Sequence, residues 1–449
     1  MTLLSSGRRL LVAGVLALAV GLAAGCGGSS SDGSSTTAKS VAANAPVKGT
    51  LTFWSSLTAT SEKAWWEKLI KRFEQQHPGA KVEFTTYSTE EYFTKLLASF
   101  SSGDQPDVFV ADAGEELNKF VRTGKVATLN KIADLSPFKP AAVKPLTGAN
   151  GDVHGIPLAW YILLLWQNKS LLAKHGLEAP KTWDQLLSTC DKLNADGIAP
   201  IALGDGGQDQ WTAAQWLGTL LYQYGGPTAA IDATYGTGGA SWTDRAFVQA
   251  ATRLKQLIDA KCFPNGFNGL NYSQMSTLFL QQKAALDFTG AWLTSEYQSG
   301  GAKFDIEPLP LPDGPGAVNS TGTLHGIVGG VFGLAATTKG VDGNPALVKA
   351  FLGAAAASVD DFANANARLS VAVKPDPQGG ALQAKLTQML ASVDELAPIT
   401  DVMLPAALLA DYYQNIGALT AGDLSPQAFA KAMAAATDKE RPNLPKLAG

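Results

Sequence analysis

Gly151-Asp-Val-His-Gly-Ile-Pro-Leu-Ala-Trp-Tyr-Ile-Leu-Leu-Leu-Trp166 is the stretch whose reading decides the fold. A strand, a proline and a second apolar strand follow one another with little room for a turn. Such a run suggests one chain crossing between two lobes, with Trp160 and Tyr161 at the crossing. Packing of lobe against lobe is the other use these two aromatics could have. Upstream, Leu51-Thr-Phe-Trp54 reads as a short strand entering Ser55-Ser56. Thr60 or Ser61 can cap the helix that follows, which sets Trp65, Leu69 and Phe73 on one face. Lys81 to Thr85 alternates as a strand does, Ser88-Thr-Glu-Glu91 is a capping box, and Asp107-Val-Phe-Val110 is a third, nearly all-apolar strand. Strand–helix–strand–helix–strand is the α/β pattern. Ligands in such sheets sit beyond the carboxyl ends of the strands, which puts Ser55, Ser56 and Ala111-Asp112 at one candidate site. Asp112 reads equally well as the cap of a helix beginning at Glu115.

Downstream, Thr182-Trp-Asp-Gln185 opens another helix with a capping box. The loop Gly204-Asp-Gly-Gly207 lacks the Lys-Ser/Thr ending of a phosphate-cradling loop and reads as a turn. Trp211, at a helix start near a strand end, is a candidate ligand contact, whereas Trp216, inside that helix, reads as core. Lys283-Ala-Ala-Leu-Asp-Phe-Thr-Gly-Ala-Trp292 reads as a buried strand, a sharp turn at Gly290 and a Trp beyond the strand end. Loops at strand ends carry function, and an indole offers a flat apolar face with one N–H donor. That suits the C–H face of a sugar ring; an ordinary core Trp is the alternative. Glu307-Pro-Leu-Pro-Leu-Pro312 cannot form a central strand. A helical region runs from about Leu382 to Thr437, broken near Pro398 and Pro405.

With 449 residues the chain exceeds one usual domain, so two lobes are expected. It is 46% hydrophobic and 16% charged, with net charge −4. There is no basic run, which argues against nucleic acid or a polyanion as the main partner. Four His and three Cys leave little room for a catalytic metal, and neither metal nor cofactor is expected.

Arg8 and Arg9 precede an apolar run from Leu10 to Leu22, then Ala23-Ala24-Gly25-Cys26. This is an export signal rather than a spanning helix. Cys26 after small residues resembles a bacterial lipobox, although Leu22 sits one place early; a plain signal peptide with a chance Cys is the alternative. Residues 1–25 are thus read as signal and 26–46, rich in Gly, Ser and Thr, as a flexible tether. Lipid, tether and body place the protein on the extracellular face of a cell membrane. In that oxidising setting Cys190 and Cys262 invite a disulfide; two separate buried thiols are the alternative.

In order along the chain, Leu51-Thr-Phe-Trp54, His77-Pro78-Gly79, Pro106-Asp107-Val108, Gly155-Ile156-Pro157, Asn168-Lys169, Thr182-Trp183-Asp184, Gly290-Ala291-Trp292 and Gly329-Gly330 resemble the extracellular solute-binding lipoproteins of ABC importers. The resemblance is to the carbohydrate-binding group related to maltose-binding protein, and it covers nearly all of residues 50–440. It implies an α/β, two-lobed periplasmic-binding-protein-like fold of type II, with the ligand cleft between lobes joined by hinge segments. It implies an N-terminal lobe of residues 47–160 and 326–372 and a C-terminal lobe of residues 161–325 and 373–449. By position, Trp292 matches the family's stacking Trp, Tyr161 a polar contact, Ala111 to Gly114 a sugar-contacting loop that here carries its acid at Asp112, and Asp401 to Ala407 a late contact helix. Gly330 falls among the matched glycines. A carbohydrate ligand, the transmembrane subunits of an ABC permease, a lipid anchor and a monomeric state are the implied partners and assembly.

Two other classes compete. A secreted glycosidase needs two carboxylates about 5–9.5 Å apart; Asp112 with Asp287 or Asp401 could be nominated, but no motif supports the pair. No Gly-x-Ser-x-Gly occurs. A binder of a phosphorylated or peptide solute should carry Arg or Lys in the cleft, and the segments placed there carry none.

Overall fold

The computed structural model describes residues 45–444, apart from 149, 208, 300–302, 323–325, 367, 373–379, 392 and 394. The signal segment, Cys26 and the tether as far as residue 44 lie outside the described residues. Strand β1 (Lys48–Ser55), helix α1 (Thr60–Gln76), β2 (Gly79–Thr86), α2 (Thr89–Ser102), β3 (Val108–Asp112) and α3 (Glu115–Val121) follow in that order. β1 lies parallel to both β2 and β3. Ser88 caps α2 by accepting the Glu91 N–H at 3.4 Å. α1 starts differently from the expected hydroxyl cap: the Glu62 carboxylate accepts the Ala59 N–H at 3.2 Å.

The sheet depends on β4 (Gly155–Asn168). Two strands were expected here; the structure has one strand of 14 residues, every one buried. Pro157 is absorbed at an irregularity between Pro157 and Ala159, where its missing N–H interrupts little. The first half of β4 pairs antiparallel with β8 (Gly326–Ala336), from Gly155↔Ala335 to Ile162↔Gly329. Its second half pairs with β6 (Ala284–Gly290), from Leu163↔Gly290 to Gln167↔Leu286. β5 (Ala199–Ala202) continues beyond β6, giving the order β2-β1-β3-β8-β4-β6-β5. β7 (Ile306–Leu309), from the proline-rich stretch, adds to the end of β4 off this path. β9 (Glu395–Pro398) lies beside the start of β8. The sheet is therefore mixed. The strand β9 and the short helix Thr400–Met403 fall inside the region expected to be only helical.

Side chains alternate across a strand, and on β4 that alternation divides two cores. Ile156, Leu158, Trp160, Ile162, Leu164 and Trp166 join the core built on β1, β3 and α1. Tyr161, Leu163 and Leu165 join the core built on the helices Trp183–Ala195, Trp211–Gly225 and Arg245–Asp259. The two lobes thus share one strand. Trp216 is fully buried in the second core, as its place inside a helix suggested. Leu386 and Met389, from the helix Gly380–Ala391, fill the first core.

Cys190 and Cys262 are joined, with sulfurs 2.11 Å and Cα atoms 5.0 Å apart. The bridge ties the helix Trp183–Ala195 to the segment after Arg245–Asp259, across 72 residues of chain. Closing a loop of that size removes unfolded-state freedom, a contribution of about 2–4 kcal/mol. Replacing both cysteines by Ala should therefore lower the calorimetric unfolding midpoint by several degrees relative to the oxidised parent; an unchanged midpoint would show that the second lobe is held without it.

Candidate functional site

Between the turn after β6, the end of β3 and the helix Thr400–Met403 lies a group of aromatic and acidic side chains drawn from both lobes. Trp292, between β6 and the helix Leu293–Ser299, is half-buried. Its ring stands 6.0 Å from that of Trp211 at an interplanar angle of 62°, and 6.0 Å from that of Tyr161. Tyr161 also lies 4.7 Å from the ring of Phe332 on β8. Trp211, half-buried at its helix start, packs 4.9 Å from Tyr272.

Both indole N–H groups turn inward. Trp292 Nε1 donates to the Tyr272 hydroxyl at 2.8 Å, and that hydroxyl donates to Glu296 Oε1 at 2.7 Å. Trp211 Nε1 donates to Asp209 Oδ1 at 2.9 Å, while Asp209 Oδ2 accepts the Tyr272 backbone N–H at 2.8 Å. The two indoles therefore offer a ligand their π faces alone.

The acids come from opposite lobes. Asp112 ends β3, and its Oδ1 is enclosed without a hydrogen-bond partner among the described residues. It does not cap α3, whose N-cap is Gly114. Burial, then the nearby charges of Glu116 and Asp401, push its pKa up to about 7, against the pull of Lys119 and Arg368. Asp401 accepts the Tyr413 hydroxyl at 2.8 Å and the Val402 N–H at 2.9 Å. Burial still raises its pKa to about 6 despite those bonds. The Tyr161 phenol is raised by burial and by the charges of Asp112, Asp401 and Glu116.

The cations beside them are already engaged: Lys119 pairs with Glu116, Arg122 with Glu115 and Arg368 with Glu62. Arg368 lies with its guanidinium 5.2 Å over the Phe332 ring, and its Nε and Nη1 have no partner among the described residues. The segments expected at the cleft carry no Arg or Lys, but Lys119 and Arg368, from outside those segments, lie close enough to act on Asp112. The lobes meet at Gly114, whose φ of 96° is open to glycine and little else. A Cβ there would lie 3.0 Å from Met403 Sδ and 3.3 Å from the Val402 carbonyl oxygen.

Trp292, Tyr161, Trp211, Asp112 and Asp401 are thus brought to one place. Other candidates sit elsewhere or play another part. Trp160 is 3% exposed in the first core, one residue out of phase with Tyr161. Ser55 is fully buried and its hydroxyl oxygen accepts the Leu57 N–H at 3.0 Å, a turn closure. Ser56, beside it, is half-buried. Gly330 pairs with Tyr161 across the sheet, and any side chain on it would collide with the Tyr161 ring. Asp287 is wholly buried on β6, with burial holding its carboxyl far above the usual range. Tyr272, Asp209, Glu296 and Arg368 were missed. Asn271-Tyr-Ser-Gln274 carries a capping-box signal that marks a helix start beside Tyr272; nothing local marks Arg368.

This is the geometry of a solute-capturing cleft, and the chain belongs to the bacterial extracellular solute-binding protein family, whose profile matches residues 58–361. An uncharacterised ABC-transporter extracellular-binding protein of Pyrococcus horikoshii is 26% identical over 312 residues, 68% of this chain and 70% of that protein. The multiple sugar-binding protein of Streptococcus mutans is 24% identical over 250 residues, 55% of this chain and 58% of its own length. The solved structure of a chitin oligosaccharide binding protein superposes with a TM-score of 0.79 at 25% identity, covering 88% of this chain and 99% of that one.

Asp112 and Asp401 hold protons in the folded chain at pH values where an unfolded Asp, with a pKa near 3.9, has lost them. The folded state binds the more protons, so stability falls as pH rises from about 4 to about 7. Asp112→Asn should therefore unfold about 2–4 °C above the parent at about pH 8, with the gap closing toward about pH 4. A gap that does not change with pH would contradict this account.

Proposed function

We propose that this chain captures an oligosaccharide between its lobes and presents it to the transmembrane subunits of an ABC importer. We also read it as exported and held at the extracellular face of the cell membrane by a lipid on Cys26. The observation that carries the first reading is the pair of indole rings inclined at 62°, with both N–H groups already bonded within the protein. A sugar ring has apolar C–H faces and a polar rim. Faces without free donors take the former, and Asp112, Asp401 and Arg368 are the polar groups beside them for the latter. The sugar-binding relatives support the same substrate class. Release follows hinge opening about the shared strand, a motion of the kind found in periplasmic binding proteins. Among the described residues no helix is long and apolar enough to cross a membrane.

Titration of a sugar panel against intrinsic Trp fluorescence should show quenching or a shift at micromolar levels. Trp292→Ala should weaken that binding more than tenfold, roughly 1.4 kcal/mol. Equal affinity in the variant would remove the stacking role. Scoring the same incubations for cleaved sugar separates capture from hydrolysis by Asp112 and Asp401.

A further inference from the structure

We propose that Tyr272 is the positioning residue of the cleft: it holds the two indoles at their mutual angle and thereby sets affinity for the ring that lies on them. This deepens the carbohydrate reading above and rests on it.

Tyr272 touches both plates by different means. Its ring packs against Trp211 at 4.9 Å. Its hydroxyl accepts the Trp292 indole N–H at 2.8 Å and passes its own proton to Glu296 at 2.7 Å. Its backbone N–H shares Asp209 with the indole of Trp211. Without the hydroxyl, Trp292 would keep its contacts with Tyr161, Trp211 and Gly290 and lose the one bond that fixes its N–H edge. The turn it occupies lies between β6 and the short helix Leu293–Ser299, where its ring lies over Gly290 and only the hydroxyl of Tyr272 holds its N–H edge. A plate that rotates must be re-ordered by each ligand, and that ordering is subtracted from affinity. The hydrogen bond from Tyr272 to Glu296 fixes the direction of the phenol lone pairs, and so the side from which the indole N–H approaches.

Tyr272→Phe removes the hydroxyl and keeps the ring against Trp211. The variant and the parent, labelled with ¹⁵N at indole nitrogen, are compared without ligand; the Trp292 resonance is identified by its loss in Trp292→Phe. Both are then titrated with chitotetraose, xylotetraose and maltotetraose. The expected result is a displaced Trp292 indole resonance, binding weaker by about three- to tenfold and an unfolding midpoint within a degree or two of the parent. An undisplaced resonance, or affinity equal to the parent, overturns the proposal. So does a midpoint lower by many degrees, which would make Tyr272 a general prop of the fold. A parent that binds none of these sugars sinks the carbohydrate reading, and the affinity role of Tyr272 falls with it; that outcome is distinct from a parent that binds and a variant that binds equally.

Discussion

A strand places successive side chains on opposite faces, and this protein applies that rule to one strand shared by two hydrophobic cores. β4 is buried along its whole length. Its even-numbered residues from Ile156 to Trp166 fill one core, and Tyr161, Leu163 and Leu165 fill the other. Each lobe therefore owns one face of the same strand. A one-residue slip would exchange the faces and bring Trp160 to the cleft in place of Tyr161. Register is held by antiparallel pairing with β8 over the first half and with β6 over the second. Both neighbours bring cleft residues with them: β8 supplies Phe332 and Gly330, and β6 leads into Trp292. Fixing the register of β4 fixes the aromatic side of the cleft.

The acidic side obeys a different constraint. Burying carboxylates is costly unless a cation or enough donors accompany them. Here the nearby cations are each committed to another acid, Lys119 to Glu116 and Arg368 to Glu62. Asp112 and Asp401 answer by holding their protons to higher pH. Asp401 has two protein donors, while one oxygen of Asp112 has none among the described residues. That oxygen, the two enclosed N–H groups of Arg368 without a partner among the described residues and the donor-free indole faces are complementary deficits. A ligand with a flat apolar face and a rim of hydroxyls meets all three.

Local signals in the sequence announced much of this. The capping boxes at Ser88 and Thr182 start helices where they read as starting, because an N-cap acts on the next three residues only. The α/β opening from β1 to β3 follows from short-range periodicity. Trp292 was visible as an aromatic placed just past a buried strand. Tyr272 and Arg368 were not, since their importance lies in partners distant in sequence: Tyr272 bonds Trp292, and Arg368 bonds Glu62, which is 306 residues away. Trp160 was misplaced because a run that is apolar at every position hides its own phase.

From the sequence by itself came the α/β order of the first strands and helices, the apolar crossing segment and a tryptophan just past a buried strand. Each rests on a pattern that lies within a few residues. The tertiary structure alone decided which face of β4 looks into the cleft, that both indoles spend their N–H groups inward, and that acids from opposite lobes meet with their cations already taken. Those outcomes depend on through-space neighbours, and desolvation and hydrogen bonding act on whatever is near in space, whatever its place along the chain.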